Sequence, residues 1–391
     1  MLPFKDIGGV WAEINLDHIA HNTREAKRLI KKDTILTGVL KADGYGHGAV
    51  AIGKTLLENG VDRFAVATLS EAIELRKAGY EVPILILSYI PKDRVADVIK
   101  YDITQTIYRY EQAEIFSKTA AEMGKIVKLH MKIDTGMSRL GFLPDDESIC
   151  IISKILELPN IEIEGIYTHF ALSFIKDKTF THKQMDKYMW VINKLEKLGI
   201  HIPIQHVSNS ATVTDLPEYN LDMVRVGSTL YGLPHIENID KNRIDLRPAM
   251  TVKTRISNIK TLPKDVGVSY GLKYVTPSKR KIASIPVGYV DGFTRIGSGK
   301  IQAIVRGRKV PQVGTICMDQ CMLDITDVDN VDFDDEVILL GSDGVNEITA
   351  DEKANILKTG NCEIVCSIGR RVPRVYISGG KVIDVVDYLL K

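Results

Sequence analysis

The chain lacks several things that would have narrowed its role at once. No apolar run approaches the roughly 18–20 residues needed to cross a bilayer, so no membrane span is expected. There is almost no net charge: 51 Lys and Arg stand against 50 Asp and Glu, giving +1 with a pI near 7.6. That balance argues against nucleic acid or a membrane surface as partner. Cysteine is scarce and odd in number, five in 391 residues, which excludes a disulfide framework and points to free thiols in a reducing compartment. Cys317 and Cys321, and Cys362 and Cys366, are each spaced four apart with no histidine close by in sequence, so they read as small apolar residues and no metal is expected. The start, Met1-Leu2-Pro3-Phe4-Lys5-Asp6, lacks the basic and apolar regions of a signal peptide, and a cytoplasmic location is expected. No G-x-G-x-x-G follows any strand candidate, which weighs against a dinucleotide-binding sheet. No internal repeat or low-complexity segment is present.

What is present is a regular alternation. Apolar, β-branched runs occur at Ile35–Leu40, Phe64–Ala67, Ile84–Leu87, Ile103–Ile107, Ile126–Ile133, Ile161–Tyr167, Ile204–Val207 and Met223–Val226. Amphipathic helix patterns such as Asp17–Lys31 and Glu111–Met123 lie between them. Thr68-Leu69-Ser70-Glu71 reads as a capping box, and Gly60, Gly79, Gly124 and Gly199 sit where helices should stop. Eight strands alternating with helices predict an α/β fold, a (β/α)8 TIM-type barrel, over residues 1–245. The helix after Ile204–Val207 is weakly written. From residue 246 to 391 short alternating runs take over: Thr251–Ile259, Lys281–Val287, Lys300–Val305, Val310–Ile316, Gln320–Ile325 and Val337–Leu340. They predict a β-rich C-terminal domain, with one helix near Asp351–Thr359. The seven acidic residues from Asp324 to Glu336 read as a solvated loop or strand edge. Roughly the first 12 residues are expected to pack on the C-terminal domain.

A barrel carries its site at the C-terminal ends of its strands. There the chemistry collects. Lys41 closes the first strand and is followed by Ala42-Asp43-Gly44-Tyr45-Gly46-His47-Gly48. A lysine at the mouth of a buried strand is poorly solvated and becomes a usable nucleophile, and the glycines let backbone amides approach a ligand. Lys132 and the segment Asp134-Thr135-Gly136-Met137-Ser138-Arg139 follow the fifth strand, and His169 follows the sixth. Ser208-Asn209-Ser210 follow the seventh, and Arg225, Gly227 and Ser228 the eighth. Taken singly, a strand-end lysine is an ordinary surface residue and a strand-end histidine an ordinary core one. Five clusters on one rim are not so easily dismissed. Ser210 and Gly227-Ser228 occupy the usual phosphate position of barrels. A Schiff-base lysine beside a phosphate cradle suggests pyridoxal 5'-phosphate.

The same blocks resemble alanine racemases along nearly the whole chain. They are Val39–Gly48, Lys132–Gly141, Tyr167-Thr168-His169-Phe170, Ser208-Asn209-Ser210, Val224-Arg225-Val226-Gly227, Val268-Ser269-Tyr270-Gly271, Cys317-Met318-Asp319-Gln320 and Arg371-Val372-Pro373-Arg374. The resemblance implies an amino-acid isomerase that interconverts L- and D-alanine, with D-alanine serving peptidoglycan. It implies Lys41 as cofactor ligand and as the base on one face of the substrate. Tyr270 becomes the base on the opposite face, supplied to the cofactor of the other subunit of a homodimer. A phenol with a pKa near 10 needs a cationic or hydrogen-bonding neighbour for that role, and His169, placed beside the ring arginine, is a candidate part of that network.

Arg225 matches the arginine facing the pyridine nitrogen. A guanidinium only donates, so that nitrogen stays unprotonated and the ring is a weaker electron sink. Arg139 matches the substrate-carboxylate ligand, and Lys132 a lysine that the family carries as a carbamate. The Met318 backbone amide would touch the same carboxylate, and Tyr289 matches an entrance-gate tyrosine. Tyr45, Asn209, Ser210, Gly227 and Ser228 would hold the phosphate side of the cofactor. The family commonly has a phosphate-binding tyrosine just before Arg-Val-Pro-Arg; here Arg370 stands there, and either binds the phosphate by charge or points away and leaves Tyr45 with more of the task. Other readings share much of this set. A racemase of serine or of other small amino acids would keep nearly every residue. A fold-related decarboxylase would prefer a carboxylate at the ring nitrogen, and a cofactor carrier would not need the second domain. A metal-dependent barrel hydrolase would want an H-x-H pair on the first strand, which is missing.

Overall fold

The computed structural model describes residues 7–234 and 243–390. Met1–Asp6, the segment on which the signal-peptide reading fell, lies outside the described residues. The strand β1 (Val10–Asn15) comes first, followed by the barrel strands β2 (Ile35–Val39), β3 (Arg63–Val66), β4 (Ile84–Ile86), β5 (Thr104–Ile107), β6 (Val127–Lys132), β7 (Ile161–Tyr167), β8 (Ile204–His206) and β9 (Met223–Val226). These eight pair in parallel in the order β8-β7-β6-β5-β4-β3-β2-β9. The ring closes between β8 and β9, where Asp222 N–H donates to Gln205 O and Arg225 N–H to Ser208 O, both at 3.1 Å. Every barrel strand foreseen is present, with ends shifted by a residue or so.

The helical punctuation is there as well. Thr68 Oγ1 accepts from Glu71 N–H and Glu71 Oε2 from Thr68 N–H, opening the helix Leu69–Lys77 with a complete capping box. Gly60, Gly79, Gly124 and Gly199 all take positive φ where their helices end. The weakly written helix exists as Ser210–Asp215, capped by Asn209, whose Oδ1 accepts from Thr212 N–H.

A second, antiparallel-rich sheet covers the C-terminal part. Its path runs through Asn258–Leu262, Arg280–Ile285, Cys321–Asp324, Arg308–Val313, Gln302–Val305, Glu336–Ser342, Met250–Arg255, β1, Arg374–Ser378 and Lys381–Val386. The single strand expected over Thr251–Ile259 is two. Ile256 is buried and donates its N–H to Asp335 O, and Ser257 turns to Ser284 O, so the chain leaves one neighbour and joins another. Three strands on this path went unread, β1 and the hairpin Arg374–Ser378 with Lys381–Val386, and so did Glu347–Ile348, which pairs off the path with Glu336–Ser342. β1 pairs antiparallel with Met250–Arg255 and parallel with Arg374–Ser378. Its alternating apolar pattern is short and adjoins the helix Leu16–Arg28, which masks it.

Arg374 fastens this sheet to the barrel. Its side chain is fully buried and donates to four carbonyls: Gly46 O at 3.0 Å, Gly369 O at 2.7 Å, Val372 O at 2.5 Å and Ile368 O at 2.7 Å. Burial depresses its pKa, yet the four acceptors take up four of its five N–H groups. An Arg374→Met substitution leaves the Gly46, Ile368 and Val372 carbonyls buried without that donor, while Gly369 O keeps the Val372 N–H. It is expected to cost about 3 kcal/mol or more, read as a lower denaturant midpoint with an unchanged slope.

Candidate active site

The barrel mouth opens into a cleft of about 520 Å³. Lys41, Tyr45, Lys132, Arg139, His169, Asn209, Ser210, Arg225, Gly227 and Ser228 all line it. One topological rule, the C-terminal ends of parallel strands, thus brings together ten of the residues singled out in the sequence. Four of them are cationic or readily become so, and among the described residues no Asp or Glu lines the cleft. It is a site for anions.

Lys41 is presented by an unusual piece of backbone. Ala42 (φ 54, ψ 47), Asp43 (54, 49) and Gly44 (62, 44) are all left-handed, and Tyr45 follows at φ 53. Such a turn costs roughly 1–2 kcal/mol per non-glycine residue. Its neighbours over-determine it. Glu71 Oε1 accepts from Ala42 N–H at 2.6 Å, Asp43 Oδ1 accepts from Ala49 N–H at 2.9 Å, and Tyr388 Oη donates to Asp43 Oδ2 at 2.6 Å. Arg374 holds Gly46 O, and Tyr376 Oη donates to His47 O at 3.1 Å. A Cβ on Gly48 would stand 1.8 Å from that hydroxyl, so only glycine fits. Strain held by surrounding structure is a common mark of a functional turn. The sequence showed the glycines but not the left-handed sense.

The anion cradle sits opposite. Gly227 N–H donates to Ser210 Oγ at 2.9 Å, which leaves the serine proton to face the cleft. A Cβ on Gly227 would meet the Tyr45 hydroxyl at 2.6 Å, so the phenol lies directly over this glycine. Burial pushes the Tyr45 pKa up, which keeps it a neutral donor. Asn209 points elsewhere: its Oδ1 caps the helix and accepts from Ser173 Oγ.

Arg225 forms the cleft floor. Its Nη1 donates to His206 Nδ1 (2.7 Å) and His206 O (3.2 Å), and its Nη2 to Thr168 O (2.8 Å) and Val207 O (3.1 Å). Nη2 also lies 3.4 Å from His169 Nδ1. Those contacts use the four Nη protons; the Nε–H has no partner among the described residues. Burial lowers the Arg225 pKa to about 10, which still leaves it charged at neutral pH. Burial and then Arg225 hold His169 well below its ordinary pKa, so the imidazole is neutral.

Lys132 is buried, with its Nζ 5.6 Å over the Tyr167 ring and, among the described residues, no carboxylate bonded to it. Burial, then Arg139 and Arg225, bring its pKa down to about 8. Arg139 is exposed, and its guanidinium makes no hydrogen bond among the described residues. Its backbone N–H, with those of Gly136 and Ser138, binds the Asp134 carboxylate, which shapes the loop.

Four sequence candidates stand apart from this cleft. Tyr270 is 69% exposed, Met318 51% and Tyr289 39%, all in turns or loops of the C-terminal part. Tyr270 follows Ser269 (φ 66) in a short turn whose carbonyl accepts from Thr315 Oγ1 at 2.7 Å. The Met318 backbone N–H makes no hydrogen bond among the described residues. Arg371 joins the last two: it binds the buried Asp291 carboxylate bidentately (2.6 and 3.1 Å), beside Tyr289, and Asp319 at 2.7 Å, beside Met318. Arg370 lies outside the cleft, 4.0 Å from Asp43, 3.8 Å from Glu74 and stacked over the Tyr388 ring at 5.2 Å. Sequence reasoning read Glu71 only as the end of a capping box and assigned no role to Asp291, Arg371 or Arg374. Nothing local pointed to Asp291.

The lowered pKa makes a direct prediction for Lys132. Above about pH 8 its amine is neutral, whereas a surface lysine waits until about 10.4. Competitive acetylation of the cofactor-free chain should show Lys132 half-reactive near the lower value. Half-reactivity near that of a surface lysine contradicts the burial argument.

Comparison with known proteins identifies the family. The family model for the alanine racemase N-terminal domain matches residues 14–235, and that for the alanine racemase C-terminal domain matches 249–376. Alanine racemase 1 of Clostridium acetobutylicum is 46% identical over 386 residues, 99% of this chain and 100% of the relative. The alanine racemase of Clostridium difficile 630 superposes with a TM-score of 0.94 at 43% identity, covering 97% of this chain and 99% of its own. The alanine racemase of Bacillus anthracis, solved with bound L-Ala-P, gives 0.93 at 33% identity, covering 100% of both chains. The chain therefore belongs to the alanine racemase family of isomerases over both its parts.

Proposed function

We propose that this chain racemises alanine with pyridoxal 5'-phosphate, and that it does so as a homodimer with shared sites. The observation that carries the reading is the acid-free, cation-lined cleft with Lys41 at one wall and the Ser210–Gly227 cradle at another. A phosphate monoester and an amino-acid carboxylate are both anions, and such a cleft suits the pair. The donor set fits the cofactor. Lys41 would hold it covalently; Tyr45, Ser210, Gly227 and Ser228 would bind its phosphate, with Asn209 capping the adjoining helix; and the unpaired Arg225 Nε–H would face its ring nitrogen. Bound there, the cofactor supplies an electron sink that acidifies the Cα–H of an attached amino acid.

The chain's own groups do the rest. Lys41 Nζ takes or returns a proton on one face. Tyr270 Oη does so on the other, because inversion needs the proton to leave one side and arrive on the opposite one. Arg139 binds the substrate carboxylate, with the free Met318 N–H as a second donor. Arg225 only donates, so it does not protonate the ring nitrogen and side reactions that need a stronger sink are suppressed. The neutral His169 extends the hydrogen-bonding set around it. Lys132, a low-pKa amine between two guanidiniums, is suited to add carbon dioxide. Its nitrogen would bond to the carbon, release a proton and leave a carbamate anion that orients Arg139.

Tyr270, Met318 and Tyr289 do not line the cleft of their own chain. Around them Leu272, Val275 and Ile296 are also exposed, and Tyr89, Leu143 and Phe174 expose apolar surface on the barrel. A second copy covering these surfaces would bring Tyr270 to the cleft and Tyr289 to its entrance. We place the enzyme in the cytoplasm, supplying D-alanine for peptidoglycan. Five unpaired cysteines support a reducing compartment, and no helix among the described residues is long and apolar enough to cross a membrane. A decarboxylase is disfavoured because no carboxylate lines the cleft to meet a ring nitrogen.

Three experiments test this. Protein purified with the cofactor should show a visible band that borohydride abolishes and should convert L-alanine to D-alanine. Tyr270→Phe should lower turnover roughly 10²- to 10⁴-fold yet keep Cα–deuterium exchange from one enantiomer only. Equal exchange from both enantiomers contradicts a base on each face. For the shared site, Lys41→Ala and Tyr270→Phe chains are each nearly inactive. Mixed and reassembled, they should regain about a quarter of native activity, since half of the dimers then hold one intact site of two. No recovery places both bases in one chain.

A further inference from the structure

Among the described residues the floor arginine has no acid partner of its own, yet a polar chain runs from it through the barrel to one. His206 Nδ1 accepts from Arg225 Nη1 at 2.7 Å. His206 Nε2 meets His130 Nδ1 at 2.8 Å. His130 Nε2 faces Glu164 Oε2 at 3.9 Å, and the other oxygen of Glu164 pairs with Arg63 Nη1. Arg225, His206, His130 and Glu164 are all buried. Arg63 lies at the start of β3, the opposite mouth of the barrel, so the chain spans its interior. His130 sits on β6 and His206 on β8, which are not neighbours in the sheet; their contact passes across the inside. The barrel is shaped for it: a Cβ on Gly165 would stand 2.5 Å from the His130 ring, and Tyr167 stacks on His206 at 4.6 Å.

The hydrogens have one consistent direction. A guanidinium has no lone pair, so His206 Nδ1 must accept. Both histidines are neutral, since burial and the flanking Arg63 and Arg225 hold their pKa values far down. His206 therefore carries its proton on Nε2 and gives it to His130 Nδ1. His130 in turn carries its proton on Nε2, aimed at Glu164. His130 Nε2 and Glu164 Oε2 are both buried with no other partner, and they face each other. Without the carboxylate, the end of the relay is a buried, unsatisfied N–H. Reversing both rings relieves that, but turns a proton against Arg225.

We infer that Glu164 is a positioning residue for the racemisation. Through His130 and His206 it keeps the His206 Nδ1 lone pair turned toward Arg225, and so holds the guanidinium with its Nε–H toward the cleft. This rests on the reading above in which Arg225 faces the cofactor ring. Glu164 touches neither cofactor nor substrate.

The test separates the relay from the activity. In cofactor-free protein labelled with 15N in histidine, long-range proton–nitrogen spectra should place the His206 and His130 protons on Nε2. Glu164→Gln keeps an acceptor oxygen and should keep both tautomers, with a kcat loss smaller than that of the leucine variant. Glu164→Leu should move the His206 proton to Nδ1. The displaced guanidinium should then lower kcat roughly 10- to 100-fold, with KM for alanine within about twofold because Arg139 is untouched. A proton on His206 Nδ1 in the native chain overturns the proposal, even if the leucine variant fails to fold. So does a folded leucine variant with native tautomers and native kcat. If the native chain shows the Nε2 tautomers but binds no cofactor and racemises nothing, the functional reading fails while the relay stands.

Discussion

The left-handed turn that carries Lys41 is the constraint on which the rest of the site hangs. Its backbone is intrinsically unfavourable for three non-glycine residues, and β2 alone would not hold it. The groups that do so come from the helix Leu69–Lys77 and from the far end of the chain: Glu71, Tyr376, Tyr388 and Arg374. The nucleophile is therefore aimed by elements of both parts of the molecule. This gives the second sheet a structural task in its own barrel, apart from any residue it offers elsewhere. It also explains the spending of a fully buried arginine on four main-chain carbonyls: Arg374 is the point where the sheet grips the turn.

Electrostatics shape the cleft in the same cooperative manner. Burial, with Arg139 and Arg225, lowers the proton affinity of Lys132, and burial, with Arg225, Lys132 and Arg139, that of His169; among the described residues no carboxylate lines the cleft to offset them. An isolated collection of buried cations is costly. It is tolerated where anions are to be bound, or where hydrogen bonds lead the charge to a remote acid. Both apply here. The cleft suits a phosphate and a carboxylate, and Arg225 leads through two histidines to Glu164. The polar spine replaces much of the branched aliphatic filling usual in such barrels, leaving only a small interior cluster around Val39, Ala65, Leu85, Ile204 and Met223.

Much of this was legible in the order of residues, because the signals are local. Strand periodicity marked all eight barrel strands, Thr68 and Glu71 marked a helix start, and the C-terminal-end rule put Lys41, Lys132, His169, Ser210 and Arg225 on one rim. That rule needs only strand direction, which alternation with helices implies. Where partners are distant in sequence, local signals failed. β1 is a strand only because Met250–Arg255 and Arg374–Ser378 flank it. Thr251–Ile259 splits because its two halves find different neighbours. Arg370 stands beside the Arg-Val-Pro-Arg block that the resemblance highlights, yet its side chain turns to Asp43, Glu74 and Tyr388.

The sequence by itself determined the barrel with its β-rich partner, the family, and the residues that meet at the cleft. Periodicity, caps and strand-end chemistry act over a few residues, and those are preserved in a linear reading. Only the tertiary structure decided the left-handed sense of the Lys41 turn and the grip of Arg374 upon it. Only it put Asp291 beneath Arg371, gave Arg225 a direction, and threaded His206, His130 and Glu164 through the barrel. Each of these is a hydrogen-bond geometry between groups far apart in the chain, and burial, which makes such bonds obligatory, exists only once the chain has closed around them.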